Sequence, residues 1–328
     1  MIPSDLFDLL LPKQQNFLLV THKFPDHDAI GSLLSMAQML KIQGHNVTCW
    51  VPDFDRREFG WMPGNELVTD HSILRIEPSA SDFVGGNGTY NFVISLDASN
   101  FDRIPQNQQL VSLLKSVPLI NIDHHMDNSH YGAYNYVVDL SSVGELLFQL
   151  FLSWGWEVDA SVSTCLYAAI CSDTGRFLFD NTTGSTLIAA GALINRGADR
   201  HLVSRKIYES KSQADFSILL LALKNLVVNE SLRYGYSFLP FPNPDTKAKP
   251  IDFIRQCADI DIALIFQEVE ENVVKISLRS KESFDVQSFS SQFGGGGHKK
   301  ASGIILKGSL DDVIQRVIDA LESSINSI

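Results

Sequence analysis

Basic residues are scarce in this sequence: 26 Lys and Arg stand against 38 Asp and Glu, a formal net charge of -12 at pH 7. Binding to long nucleic acid or to an anionic membrane surface needs a basic footprint, so neither partner is expected. A small anion remains a candidate ligand if metal ions or a local basic cluster hold it. Long apolar runs are missing too, with none near the roughly 18 residues that a membrane span requires. Residues 1–15 show no basic region followed by a long apolar one. Only four cysteines occur, Cys49, Cys165, Cys171 and Cys257, none in a Cys-x-x-Cys pair and all beside apolar neighbours. They read as buried thiols in a reducing compartment, and a cytoplasmic protein is expected.

What is present is an ordinary globular composition, 45% hydrophobic and 20% charged over 328 residues, enough for two well-packed domains. Asn16-Phe17-Leu18-Leu19-Val20 reads as a first strand. Helical spacing of Ile30, Leu33, Leu34, Ala37 and Leu40 follows, Gly44 stops that helix, and Asn46 to Val51 is a second strand. This is a strand-helix-strand unit of a parallel sheet. Glycines at 85–88 do not open a helix and are read as a loop. Two more apolar strands are expected, Asn91 to Leu96 and Pro118 to Ile122, then helices over Val143 to Trp154 and Ala160 to Ser172. From Gly184 to Asn229 the pattern is helical without a strand. Strands resume near Tyr234, a turn is expected at Asn243-Pro244-Asp245, Ile260 to Phe266 and Val273 to Leu278 pair, and a helix over Leu310 to Ile325 closes the chain. The expected organisation is a parallel-sheet α/β domain over 1–200, a helical linker over 201–228 and a smaller α/β domain over 229–328.

Three of the strands run into metal-capable side chains: His22 with Asp26 and Asp28, then Asp97, then Asp123 with His124 and His125. Asp173 ends a helix. An isolated acid-His-His triplet is more often a solvated strand end than a site. Parallel neighbouring strands would nevertheless bring all of these groups to one crevice at the carboxyl edge of the sheet. Carboxylates crowded in that way either raise their pKa values or bind cations. An oxygen-rich set with some imidazole and no thiolate suits manganese, magnesium or cobalt better than structural zinc. It is also larger than one catalytic ion needs, and fits two ions roughly 3.5 to 4 Å apart, the arrangement of phosphoryl-transfer hydrolases.

These segments resemble the motifs of the DHH phosphoesterase family: His22-Lys23-Phe24-Pro25-Asp26-His27-Asp28 the first, Asp97 the second, Asp123-His124-His125 with Asn128 the third, and Ser172-Asp173-Thr174-Gly175 the fourth. His27 departs from the glycine of many relatives. The resemblance implies that His22, Asp26 and Asp97 hold one cation and that Asp28, Asp97, His124 and Asp173 hold the other. It also implies that His125 faces the substrate phosphate and that Asp123 orients an imidazole. His45, His71, His130 and His201 lie outside the motifs and read as structural or solvated.

Toward the C-terminus, Val274 to Ser280 and the run Phe293-Gly294-Gly295-Gly296-Gly297-His298-Lys299-Lys300 resemble the substrate-binding domain associated with that family. Glycine amides can let a phosphate approach, and Arg279 can clamp one. Arg279, Ser280, Gly295, Gly296, Gly297, His298 and Lys299 are the implied substrate contacts. The implied activity is hydrolysis of very short oligoribonucleotides, linear dinucleotides such as pGpG or pApA above all, by in-line attack of a hydroxide bridging two divalent cations, with manganese favoured. Dephosphorylation of 3′,5′-bisphosphorylated adenosine is the alternative within the chemistry. A non-catalytic nucleotide sensor is the alternative from another class, although none of the expected ligands is missing. A homodimer is implied by resemblance alone.

Overall fold

Short apolar strands alternating with apolar helices need a sheet covered on both faces, and the first unit supplies one. In the computed structural model, which describes residues 4–10, 14–69, 90–105, 107–240 and 248–326, the chain divides into two units, Met1–Glu209 and Ser210–Ile328. The first contains α1 (Ser4–Leu10), β1 (Asn16–Val20), α2 (His27–Ile42), β2 (Asn46–Trp50), α3 (Arg56–Phe59), β3 (Val68–Thr69), β4 (Phe92–Leu96), α4 (Gln108–Leu113), β5 (Leu119–Asp123), β6 (Tyr134–Val137), α5 (Val143–Ser153), α6 (Ala160–Asp173), α7 (Gly184–Asn195) and α8 (Arg200–Ile207). Its strands make a parallel sheet in the order β3-β2-β1-β4-β5-β6. The order reverses between β1 and β4, so the segments that follow their carboxyl ends meet at a topological switch point.

Successive side chains of one strand feed two cores. Phe17 and Leu19 of β1, with Ile94 and Ile120, pack against α2, α5 and α6, while Leu18, Val20, Val93 and Leu119 pack against Leu110 and Leu113 of α4. All five residues of β5 are buried, including the polar Asn121, whose amide donates to Asn128. The short strands β3 and β6 and the helix α1 were not legible, because each is too short for a periodic pattern to repeat.

The second unit contains α9 (Gln213–Lys224), β7 (Val227–Asn229), β8 (Tyr234–Leu239), α10 (Pro250–Ile254), β9 (Ile262–Glu270), β10 (Val273–Ser280), α11 (Val286–Ser291), β11 (Gly296–His298), β12 (Ala301–Lys307) and α12 (Leu310–Asn326). Its sheet runs β11-β12-β10-β9-β8-β7, antiparallel except for the β8–β9 pair. One face packs on α11 and α12 through Ile276, Leu278, Phe289, Val317 and Leu321, the other on α9 and α10 through Ile218, Ala222, Ile251 and Ile254.

The segment 201–228 is not a separate linker. Helix α8 buries Val203 in the first unit, and α9 buries Ile218 and Ala222 in the second, since an amphipathic helix gains its stability by burying its apolar stripe. The segment also ends in a strand, β7, paired with β8. Cys49, Cys165 and Cys171 are buried thiols, whereas Cys257 is half-buried. The glycines at 85–88, His71 and the turn at Asn243-Pro244-Asp245 lie outside the described residues.

Helices α2 and α6 pack closely at Gly31, where a Cβ would sit 2.6 Å from the Cys165 carbonyl oxygen. Gly31→Ala is therefore expected to destabilise the first unit by about 1–3 kcal/mol through overpacking. Denaturant unfolding followed on the first unit's transition checks this, and an unchanged midpoint would contradict such close packing.

Candidate metal centre

His22 follows the end of β1, and its Nδ1 lies 2.8 Å from the Lys23 carbonyl oxygen. A carbonyl only accepts, so Nδ1 carries the proton and the Nε2 lone pair faces Asp97, whose Oδ2 is 3.6 Å away. His124, beyond β5, is built the same way. Its Nδ1 lies 3.1 Å from the Leu140 carbonyl, and its Nε2 stands 3.3 Å from Asp173 Oδ2, 3.6 Å from Asp97 Oδ1 and 3.9 Å from Asp28 Oδ2. Both imidazoles are thus locked in the tautomer that ligates through Nε2.

The acids reach the same place by different local routes. Asp26 is the N-cap of α2, its Oδ1 accepting from the amides of Asp28 and Ala29. Asp28 is fully buried in the first turn of that helix. It accepts from Ser32 Oγ at 3.0 Å, Val143 N at 2.8 Å and Gly144 N at 2.9 Å. Asp97 leaves β4 with φ +59°, a left-handed conformation rare outside glycine, and its buried Oδ1 accepts no hydrogen bond among the described residues. Asp173 ends α6.

Electrostatics of the bare centre are unfavourable. Burial pushes Asp97 and Asp173 well above the ordinary carboxylate value, and the charges of Asp28 and Asp26 push them further. Burial also raises Asp28, against the pull of His124 and the two amides. Burial opposes a charge on His124, but Asp97, Asp28, the Leu140 carbonyl and Asp123 together hold the imidazole above its usual value. A divalent cation reverses the sign of this balance, because it converts carboxylate repulsion into attraction. The buried Asp97 oxygen, which accepts no hydrogen bond among the described residues, and the two aimed Nε2 atoms fit such an ion.

His125 stands in a different chain of contacts. Its Nδ1 is 2.8 Å from Asp123 Oδ1, and Asp123 Oδ2 accepts from Asn128 Nδ2 at 2.6 Å. Burial works against a charge on Asp123, yet His125 and Asn128 together hold its carboxyl below the usual range. Asn128, in turn, accepts from Asn121 Nδ2 and the His130 amide.

Ligand atoms of His22, Asp26 and Asp97 lie within 4.8 Å of one another, as do those of Asp28, His124 and Asp173 and those of Asp97, His124 and His125. The third grouping was not foreseen: His125 Nδ1 also comes within 3.6 Å of Asp97. His27 does not crowd the first motif, for its buried ring packs edge-on against Phe59. His45 is buried edge-on to Phe17, whereas His130 and His201 are exposed.

In the second unit the glycine run is a turn and an edge strand, with Gly296, Gly297 and His298 paired to Gly303, Ser302 and Ala301. A Cβ on Gly295 would meet the Gly303 carbonyl oxygen at 2.3 Å, and Gly297 adopts φ +141°, so these two glycines are already required by the hairpin. The His298 side chain lies outside what the structure describes. Ser280 is buried, its hydroxyl turned to the Lys299 carbonyl. Arg279 is half-buried with Nη1 on the Leu278 carbonyl. Burial lowers its pKa, with Asp252 opposing and Arg255 adding to the effect.

Sequence reasoning missed the backbone donors and acceptors around the centre, namely the Leu140 carbonyl and the amides of Val143 and Gly144. Ser142 followed by Glu145 has the spacing of a helix start and does cap α5, but such a signal cannot say which carboxylate the amides will hold.

An open parallel α/β unit with an acid and imidazole cluster at its switch point, followed by a smaller mixed-sheet unit, defines a two-domain protein built around a candidate metal centre. The model of the DHH family, N-terminal domain, matches residues 16–170 and that of the DHHA1 domain matches residues 234–327, so the chain carries a DHH domain followed by a DHHA1 domain. The bifunctional oligoribonuclease and PAP phosphatase NrnA of Thermus thermophilus is 27% identical over 312 residues, covering 94% of this chain and 89% of that protein. Its namesake from Bacillus subtilis is 28% identical over 310 residues, covering 87% and 88%. The crystal structure of an exopolyphosphatase-related protein from Bacteroides fragilis shares the fold, with a TM-score of 0.87 at 22% identity over 98% of this chain and 96% of that one.

Neutralising one buried acid should stabilise the metal-free protein. Acids with raised folded-state pKa values add stability at low pH and lose it as pH rises through those values, so at neutral pH Asp97 opposes folding. Asp97→Asn keeps a residue that tolerates the left-handed backbone and removes the charge. In chelator the variant should melt above the wild type at pH 7, with the difference shrinking toward pH 4; a lower melting point at pH 7 would refute the repulsion argument.

Proposed function

We propose that the protein is a metal-dependent phosphodiesterase that hydrolyses very short oligoribonucleotides, linear dinucleotides such as pGpG or pApA in particular, to mononucleotides. One observation carries the reading. Imidazole Nε2 atoms locked by backbone carbonyls and a buried carboxylate oxygen without a hydrogen bond among the described residues meet at the switch point of the sheet. The names of the Thermus thermophilus and Bacillus subtilis relatives support the substrate class.

His22, Asp26 and Asp97 would hold one divalent cation and Asp28, Asp97, His124 and Asp173 a second, with Asp97 between them. The donor set of carboxylate oxygen and imidazole nitrogen suits manganese, with magnesium or cobalt as substitutes. Bound there, such ions would neutralise phosphoryl oxygens and acidify water. His125 contacts the substrate phosphate. Asp123 Oδ1 accepts from Nδ1 of His125, so proton exchange with the reacting group falls to Nε2. The DHHA1 domain contributes Arg279, Ser280, His298, Lys299 and the amides of Gly295, Gly296 and Gly297 to binding of the nucleotide. Of these, Arg279 and Lys299 bring local positive charge to a chain whose formal net charge is -12.

Incubation with manganese and pGpG or pApA should release mononucleotides. Release of inorganic phosphate from bisphosphorylated adenosine alone would move the reading to the phosphatase, and no turnover of either would favour a nucleotide sensor. Asp97→Ala should lower kcat by at least about 100-fold, since a bound cation supplies several kcal/mol of transition-state stabilisation. Retained manganese-dependent turnover would remove Asp97 from the ligand set. Arg279→Ala should raise KM for a dinucleotide by about 10-fold or more with a smaller change in kcat, the loss expected for a charge-assisted hydrogen bond. Unchanged KM would take Arg279 out of the binding site.

A further inference from the structure

One short segment, Leu140 to Gly144, touches two members of one three-residue grouping, His124 and Asp28, and is linked to the third, Asp173, through Asn181. The Leu140 carbonyl fixes His124 through Nδ1, and the amides of Val143 and Gly144 hold both oxygens of Asp28. The Ser141 carbonyl accepts from Asn181 Nδ2, which also donates to the Asp173 carbonyl at 3.1 Å. Among the described residues the segment makes no such contact with His22, Asp26 or Asp97.

What holds the segment in place is Glu145, a fully buried acid with no ion-pair partner among the described residues. Its oxygens accept from Ser141 Oγ at 2.6 Å, Ser185 Oγ at 2.6 Å, Thr186 Oγ1 at 2.8 Å and Gln149 Nε2 at 3.3 Å. Ser185 and Thr186 open α7, whose N-cap is Thr183. Each carboxyl oxygen thus receives two donors, and the group is satisfied without a cation. The acid therefore pins the segment to α7, and Asn181 ties the chain leading into α7 to Asp173.

We infer that Glu145 is a positioning residue for one cation position, that of Asp28, His124 and Asp173, and that the position of His22, Asp26 and Asp97 is built independently of it. The inference rests on the two-cation reading above. Loss of an outer partner of a metal ligand weakens metal binding by about 10–100-fold. Glu145→Gln keeps the size of the side chain but replaces one acceptor oxygen with a donor that faces hydroxyl donors.

Manganese titration of the metal-stripped full chain by calorimetry, with the ion's electron paramagnetic resonance spectrum as a second readout, tests it. The wild type should bind in two steps, and Asp173→Asn identifies the one that depends on Asp173. Glu145→Gln should weaken that step by about 10-fold or more and leave the other unchanged. Asn181→Ala, at an exposed position, should weaken the same step and decides the matter if Glu145→Gln does not fold. Wild-type affinities in the folded variants, or equal weakening of both steps, would overturn the inference. A wild type that binds no manganese would overturn the two-cation reading and the inference together, and is distinguishable from the other outcomes.

Discussion

The burial of Asp28, Asp97 and Asp173 at one sheet edge, with their mutual repulsion added to it, is the constraint around which the first unit is built. Three acids, one fully buried and two pushed well above their ordinary pKa values, are held where β1, β4 and β5 end. A sheet stabilised only for its own sake would not place them there, because buried acids without cations oppose folding. The surrounding core is correspondingly extensive, with strands buried on both faces and helices on each side. The apolar packing offsets a local electrostatic deficit that is useful only when positive charge arrives.

Local devices hold the deficit in place, and they are unequal. Asp26 belongs to the helix it caps, so its position follows from ordinary helix formation. Asp28 relies on amides more than a hundred residues away in sequence, and Asp97 on a left-handed backbone at a strand end. The imidazoles are oriented by backbone carbonyls, which act whatever side chain the carbonyl's residue carries. Much of the geometry is thus maintained by the main chain, whose groups are fixed by the fold.

In the second unit the glycine run resembles a phosphate loop in sequence, but the hairpin of β11 and β12 already needs Gly295 and Gly297 for close approach and backbone conformation. One signal served two explanations. The alternating burial along β10 separates Ile276 and Leu278, in the core, from Lys275 and Arg279, which keep access to solvent. Pattern alone supports that division, since successive side chains of a strand point to opposite faces.

Apolar strands ending in Asp97 and in Asp123-His124, the helix opened by Asp26 and Asp28, and the short thiol-free ligand list were determined by the sequence itself. Each depends on residues close together in the chain. The convergence was legible only on the assumption that the strands are parallel neighbours, and the strand order supplied that condition. Only the tertiary structure decided that His124 is fixed by Leu140, that Val143 and Gly144 embrace Asp28, that His125 also approaches Asp97, and that 201–228 is shared by two units rather than standing between them. Backbone groups are the same at every non-proline position, so no residue type announces which of them will meet a distant side chain.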